Sequence, residues 1–368
     1  MGTFSRHIFI QTNLSCNLKC SYCYERNKNG DVFDESIAIE KLHKLLLTPT
    51  KDGTKIKLIG GEPFLVFSRI QTLCETLWAL NLGEKFFFQI TTNGTLVHGP
   101  IQDWLKRNKD RVECKLSIDG DKVSHDINRP NSFNLIDIDF FTHTWAKGTA
   151  NMVVTPATLT SFAANVMYLH SRGFYNIVPI FAVLTDWDNK GLEREYYNQL
   201  LSLADYYLSH PTIYRCQTLR SPLERVLLHN CDFPVCEIGR KIAFDIKTDK
   251  QYPCHLFFPS VCGDRKPENL EQQDFSKRSA LEKEPCLSCS FINICHTCYA
   301  ANYLERGAYA NRDMTMCSYR KIGFLVNAQL EYRRILSSSN ITDKDYSTMM
   351  AIKTIMPELS TIEKELFV

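Results

Sequence analysis

Short apolar segments alternate with amphipathic helical stretches through about the first 185 residues of this 368-residue chain, and no other feature restricts its fold as much. Residues 6–11, 55–59, 86–91, 113–118, 151–155 and 177–184 read as strands. Between them lie helical stretches such as 34–47, with Asp34 as N-cap and Leu42, Leu45 and Leu46 on one face. Repeated βα units imply a parallel sheet with right-handed crossovers. Periodicity alone describes an open doubly wound sheet as well as a six-unit barrel. In either fold, function gathers at the C-terminal ends of the strands.

Composition narrows the class. Lys+Arg 43 against Asp+Glu 41 leaves a formal net charge of +2, with no electrostatic footprint for nucleic acid. The start MGTFSRHIFIQ has no signal-like apolar region, and no apolar run approaches the ~18 residues of a membrane span. A cytoplasmic protein with no membrane or nucleic-acid partner is expected. Fifteen cysteines in a reducing compartment point to metal rather than disulfides.

Three of those cysteines, Cys16, Cys20 and Cys23, stand in the stretch QTNLSCNLKCSYCYE with spacing C-x3-C-x2-C, directly after the first strand. Thiolates suit iron–sulfur clusters and zinc. A structural zinc knuckle is the competing reading, but this loop offers three thiols where a closed site needs four. A cubane held by three cysteines leaves one iron open. With the aromatic Tyr22 before its third cysteine, the loop resembles that of the radical S-adenosylmethionine superfamily. The further motifs follow in that family's order, each after a strand. Gly60-Gly61-Glu62-Pro63 resembles its GGEP element, Thr91-Thr92-Asn93-Gly94 its TNG element, and Ser117-Ile118-Asp119-Gly120 precedes His125-Asp126-x-x-Arg129. The resemblance implies an α/β fold with a partial (β/α)6 barrel. It implies cofactor binding by Gly60, Gly61, Glu62, Pro63, Asn93, Ser117, Asp119 and Arg129. It also implies reductive splitting of S-adenosylmethionine to a hydrogen-abstracting radical.

The pattern changes near residue 185. Residues 193–208 read as a last helix and 205–215 as a connection, after which cysteines crowd in. Cys286-x2-Cys289-x5-Cys295-x2-Cys298 is preceded by Cys236-x17-Cys254 and followed by Cys317. Together they resemble the SPASM module, a C-terminal extension carrying two further [4Fe–4S] clusters. The stretch 236–255 looks like its opening hairpin. By resemblance, Cys236, Cys254 and Cys298 hold the first auxiliary cluster, and Cys286, Cys289, Cys295 and Cys317 the second. The fourth ligand of the first is Cys231, with Cys262 or an open iron as alternatives. Two departures from the family pattern are Asp249 where a glycine is usual, and a last spacing of x2 where x3 is commoner. Two interleaved zinc sites are the competing account of the module. Cys74 and Cys114 read as small buried apolar residues, and Cys216 is undecided. The expected domains are a barrel over 1–215, the module over 216–330, and a helical tail over 331–368, with a helix at 319–336 and mixed character after 340.

Enzymes with this double architecture modify peptides and proteins. The resemblance implies three [4Fe–4S] clusters, S-adenosylmethionine, an electron donor such as flavodoxin or ferredoxin, and a ribosomal precursor peptide as substrate. The expected reaction is oxidative formation of an intramolecular C–C, C–O or C–S crosslink. The alternative is formylglycine-type oxidation of a Cys or Ser, as in anaerobic sulfatase maturation. Sulfatase-maturing relatives use an Asp after the cysteine matching Cys254, whereas this chain has His255. His255 is therefore either a base or a partner of its neighbours. About five residues precede the first strand, so no leader-binding domain is expected. A separate leader-recognition protein, or the enzyme itself, reads the peptide.

Overall fold

In a computed structural model the described residues are 4–80, 82–187, 191–229, 231–245 and 250–367. In chain order the strands are β1 (Arg6–Gln11), β2 (Thr54–Ile59), β3 (Phe86–Thr92), β4 (Val112–Ser117), β5 (Thr149–Val154), β6 (Asn176–Phe181), β7 (Lys241–Phe244) and β8 (Gln251–Tyr252). The first six stand within a few residues of the sequence expectation. β6 stops at Phe181 rather than 184, since the chain turns at Leu184, whose φ of 57° lies in the left-handed region. Helix Glu35–Leu46 begins where expected: the Asp34 carboxylate accepts from Ser36 N and Ile37 N at 2.9 and 3.3 Å. Leu42 and Leu46 are buried and Leu45 half-buried.

The described chain divides into two compact units, Met1–Ile118, Asn128–Asn151 and Glu237–Gln272 in one, Asp119–Ile127, Met152–Cys236 and Gln273–Val368 in the other. In the first, the strands lie in the order β5-β4-β3-β2-β1-β7-β8. β1 through β5 pair in parallel, as the alternation with helices requires. Ile8, Ile10, Ile56, Leu58, Phe88, Ile90, Cys114 and Leu116 form one fully buried face. The expected hairpin is present, β7 running antiparallel to β8. Its turn, Asp249 included, lies outside the described residues. What sequence reasoning did not foresee is that β7 also pairs in parallel with β1, His7 opposite Lys241. The hairpin thus extends the sheet that carries the cysteine loop.

In the second unit β6 adjoins the end of β5, and helices supply the core. Phe181, Trp187, Tyr196 and Tyr319 pack ring against ring at centroid distances of 5.0–5.6 Å. Helix Met314–Leu336 starts earlier than expected, because the Asp313 carboxylate accepts from Met316 N at 3.1 Å and caps it. Cys317 therefore stands in its first turn. The tail forms one helix, Asp343–Glu365, opened by a reciprocal Thr342–Asp345 capping box and continuing through Pro357. No helix among the described residues is long and apolar enough to cross a membrane.

Candidate functional site

The loop after β1 is tied to the ends of the neighbouring strands by short hydrogen bonds. Gly61 N donates to Asn13 O at 3.0 Å and Glu62 N to Ser15 O at 2.8 Å, while Asn13 Nδ2 donates to Glu62 O at 2.8 Å. A Cβ on Gly61 would lie 1.9 Å from Ser15 O, so only glycine lets the two loops approach this closely. Gly60, at φ +150°, would put a Cβ 2.5 Å from Asn13 O. The motif glycines are thus required by the cysteine loop itself.

Glu62 is fully buried and bridges β2 to β3. Its carboxylate accepts from Thr92 Oγ1 at 2.8 Å, Asn93 N at 2.7 Å and Phe64 N at 3.1 Å. Burial pushes its pKa up, against the pull of those donors and of Arg129. Asn93 is thereby fixed with Nδ2 donating to Asn17 Oδ1 at 2.9 Å and standing 3.9 Å from Cys16 Sγ. Leu18 N donates to the same sulfur at 3.4 Å. Burial raises the Cys16 thiol, and Leu18 N–H and Lys28 oppose it. On the other side of the loop Ser21 N donates to Asn128 O at 2.9 Å. Arg129 Nη1 lies 3.9 Å from Cys20 Sγ, and its guanidinium sits over the Tyr22 ring at 5.3 Å. The structure therefore brings Cys16, Cys20, Cys23, Gly60, Gly61, Glu62, Pro63, Asn93 and Arg129 together in the first unit.

Ser117 ends β4 and is buried. Asp119, in the second unit, is buried as well. Its Oδ1 accepts from Val153 N at 2.8 Å, and its own N–H donates to His125 Nδ1 at 3.3 Å. It thus pins the β4 turn to β5.

His255 stacks on Phe9 at 5.3 Å, lies 5.9 Å from the Tyr24 ring, and sets Nδ1 3.8 Å from Cys254 Sγ. Burial alone would raise the Cys254 thiol. The His255 ring and the Lys241 ammonium outweigh it and bring the thiol down to about 6, in the range of thiolate ligands. Cys262 differs. It is buried with its S–H donating to Phe257 O and Phe258 O at 3.4 and 3.2 Å, and burial raises it.

In the second unit the thiols of Cys286, Cys289, Cys295 and Cys317 share one electrostatic neighbourhood. Burial chiefly raises Cys286 and Cys317, with Cys295 and Cys317 adding to the first shift, Cys295 and Cys289 to the second. Turns hold them: Cys289 N donates to Cys286 O at 3.2 Å and Cys295 N to Phe291 O at 2.8 Å. Arg312 Nη1 stands 3.1 Å from Cys295 Sγ. The same guanidinium pairs with the buried Glu282, which also accepts from Tyr299 OH at 2.6 Å. A pocket of about 350 Å³ opens beside Cys286 and Arg312. Cys298 caps the helix Tyr299–Arg306, its sulfur accepting from Ala301 N at 3.5 Å. Cys236 lies close enough to Tyr299 to act on it electrostatically, and Cys231 O accepts from Arg278. Cys74, Cys114 and Cys216 are buried.

None of the fifteen cysteines is disulfide-bonded. Among the described residues no three Cys, His, Asp or Glu side chains converge as ligands of a single ion must. A cubane asks for thiols on separate irons, spread around a larger centre, and soft thiol sets ringed by N–H donors fit it.

A parallel α/β sheet with an open three-thiol loop at its strand ends, followed by a cysteine-rich region, defines the radical S-adenosylmethionine fold with a SPASM-like extension. The comparisons agree. The family described as a 4Fe-4S single cluster domain matches residues 7–133. An uncharacterised protein of Methanocaldococcus jannaschii is 32% identical over 34% of this chain and 42% of its own. The cysteine-type anaerobic sulfatase-maturating enzyme of Clostridium perfringens is 33% identical over 33% of this chain and 34% of its own. The chain thus matches less than half the length of these curated relatives. Among solved structures, anSMEcpe with bound AdoMet superimposes with a TM-score of 0.69 at 18% identity, covering 94% of this chain and 98% of that one. Streptococcus suis SuiB bound to its precursor peptide SuiA gives 0.58 at 18% identity, over 85% and 76%. At that identity the likeness speaks for the fold. The chain shares the fold of these enzymes, and the family match covers its residues 7–133.

Sequence reasoning missed the lysines of β2 and β4, Lys55, Lys57 and Lys115. Their signal was available: strands buried in a parallel sheet normally read as near-continuous apolar runs, and TKIKLI and VECKLS break that rule at alternate positions.

Proposed function

We propose that this protein is a peptide maturase that oxidises a ribosomal precursor peptide to an intramolecular crosslink. One observation carries the reading: the C-x3-C-x2-C loop is locked to the GGEP and TNG turns and to Arg129, as a site for an open cluster and its chelated cofactor demands. S-adenosylmethionine bound there supplies a radical that takes hydrogen from unactivated carbon. The chain's own residues supply placement. Cys16, Cys20 and Cys23 would hold the cluster, Gly60 and Gly61 let the GGEP turn approach the backbone of the cysteine loop, and Asn93 and Arg129 donate toward the sulfurs. The assignment of Ser117 and Asp119 to the ribose rests on the sequence pattern. Cys286, Cys289, Cys295 and Cys317 are gathered for a second auxiliary cluster. The assignment of Cys231, Cys236, Cys254 and Cys298 to a first one rests on the sequence pattern. His255 faces the Cys254 thiol between two aromatic rings, which favours a role beside that ligand over substrate deprotonation.

The likeness to anSMEcpe over nearly the whole chain favours a second reading, oxidation of a Cys or Ser to formylglycine. Co-expression with the peptide encoded beside the coding region, followed by mass spectrometry, separates them. A crosslinked product is lighter by two hydrogens and lacks an aldehyde. An unmodified peptide, with no release of 5′-deoxyadenosine by anaerobically loaded enzyme, would overturn both.

A further inference from the structure

Opposite its apolar face, the sheet of the first unit carries a face of another character. Strand register sets His7 beside Lys55 and Lys241, Phe9 beside Lys57, Lys57 beside Gln89, and Gln89 beside Glu113. One row nearer the strand ends, Thr91 pairs with Lys115. The ammonium groups of Lys55, Lys57, Lys115 and Lys241 thus share a face with the carboxylates of Glu113 and Glu237, and the buried Asp245 directly follows β7. The Glu25 carboxylate accepts from Gln11 Nε2 at 3.2 Å.

Lys55 takes Glu113 at 3.2 Å, an oxygen that also accepts from Gln89. Lys57 Nζ lies 3.8 Å from Glu237, whose closer partner is His7 Nδ1 at 3.1 Å. Lys57 otherwise rests over the Phe9 ring at 4.6 Å, with Lys241 above the same ring at 5.3 Å. Lys115 has no carboxylate within ion-pair distance among the described residues. A desolvated cation without a counter-charge in contact is costly, as at Lys115, and Lys57 shares its one carboxylate with His7; both amines have lowered pKa values, with burial as the leading cause.

We propose that this face binds a carboxylate of the substrate, an acidic side chain or a peptide C-terminus, between Lys57 and Lys115. The Lys115 row also holds Gln11 and Ile59, the last residues of β1 and β2, and Thr91, one residue before the end of β3, next to the cysteine, GGEP and TNG turns. A carboxylate anchored there stands directly beneath the cofactor loops. The substrate class is then a peptide with an acidic group close to the residue modified. This inference rests on the maturase reading.

The test is fluorescence anisotropy with three fluorescein-labelled pentapeptides on anaerobically iron-loaded, full-length protein. One carries a central Glu and an amidated end, one a central Gln and an amidated end, and one a central Gln and a free C-terminal carboxylate. The Glu peptide, the free-end peptide or both should bind at least tenfold more tightly than the neutral one, and which of them does so identifies the source of the carboxylate. Lys115→Met should reduce the preference below threefold and Lys115→Arg restore it, while release of 5′-deoxyadenosine without peptide stays within twofold of wild type. Equal or absent binding of all three probes by wild-type protein, or an undiminished preference in Lys115→Met, overturns the proposal. An acidic preference in a protein that never cleaves S-adenosylmethionine would instead remove the maturase reading and leave the carboxylate site standing.

Discussion

Arg312 reaches two residues at once, pairing with the buried Glu282 and standing 3.1 Å from the sulfur of Cys295. Burial opposes its charge, yet Glu282 and the nearby thiols hold its pKa above the ordinary arginine value. Removing the guanidinium strands a buried carboxylate, a change of about 3–5 kcal/mol. Arg312→Met should therefore lower the unfolding midpoint sharply in denaturant titration, and the double variant Arg312→Met with Glu282→Gln should recover part of the loss. In the loaded protein, loss of a donor to sulfur should also lower one cluster's reduction potential in an EPR-monitored titration.

Iron content checks the cysteine assignment. Anaerobic reconstitution should give about twelve irons per chain, four for each of three cubanes. Changing Cys16, Cys20 and Cys23 together to Ala should remove about four and abolish 5′-deoxyadenosine release. About two zincs and little iron would contradict the assignment.

The candidates for the fourth ligand of the first auxiliary cluster differ in what their sulfurs already do. Cys262 donates its S–H to two carbonyls and is raised by burial. Cys231→Ala should change the Mössbauer and EPR signature of that cluster, and Cys262→Ala should leave it nearly unchanged.

Glu62 satisfies three buried donors, at Phe64, Thr92 and Asn93. Glu62→Ala leaves them unpaired, at about 1–3 kcal/mol each, and frees Asn93 from its position near Cys16. Lower thermal stability should come with loss of S-adenosylmethionine binding in equilibrium dialysis. Glu62→Gln should fall between.

Lys57 gives a pH signature. Burial is the main cause that brings its pKa down to about 8, with Lys55, Lys115 and Lys241 lowering it further against Glu237; the His7 ring lies 3.4 Å away. Only the neutral amine is nucleophilic, so trace labelling with acetic anhydride should rise through about pH 8 at Lys57. Exposed lysines should follow near the ordinary value of about 10.4. A carboxylate bound beside it favours the protonated form, and the saturating Glu peptide should move the Lys57 midpoint upward.

Much of the fold was legible because short strand-like segments alternate with amphipathic helical stretches, and Asp34 announces its helix. The cysteine loop was legible because ligand spacing is local. The pairing of β1 with β7 was not, since nothing in Arg6–Gln11 specifies which distant segment completes its hydrogen bonds. The role of Glu62 was hidden for a similar reason: its three donors come from two separate turns. The final helix, expected only as a stretch of mixed character, runs through Pro357, a residue type that ordinarily interrupts a helix.

The return of β7 to β1 has a cost in time. At about 5–20 residues per second, roughly 10 to 50 s separate the synthesis of His7 from that of its partner Lys241. During that interval the outer N–H and C=O groups of β1 form a bare edge, the kind of surface that recruits other chains. The cysteine loop hangs from the end of that edge. Nascent chains should therefore be most prone to aggregation after the first five strands have emerged and before residue 244 has, the window in which a chaperone or an iron donor has most to gain by arriving.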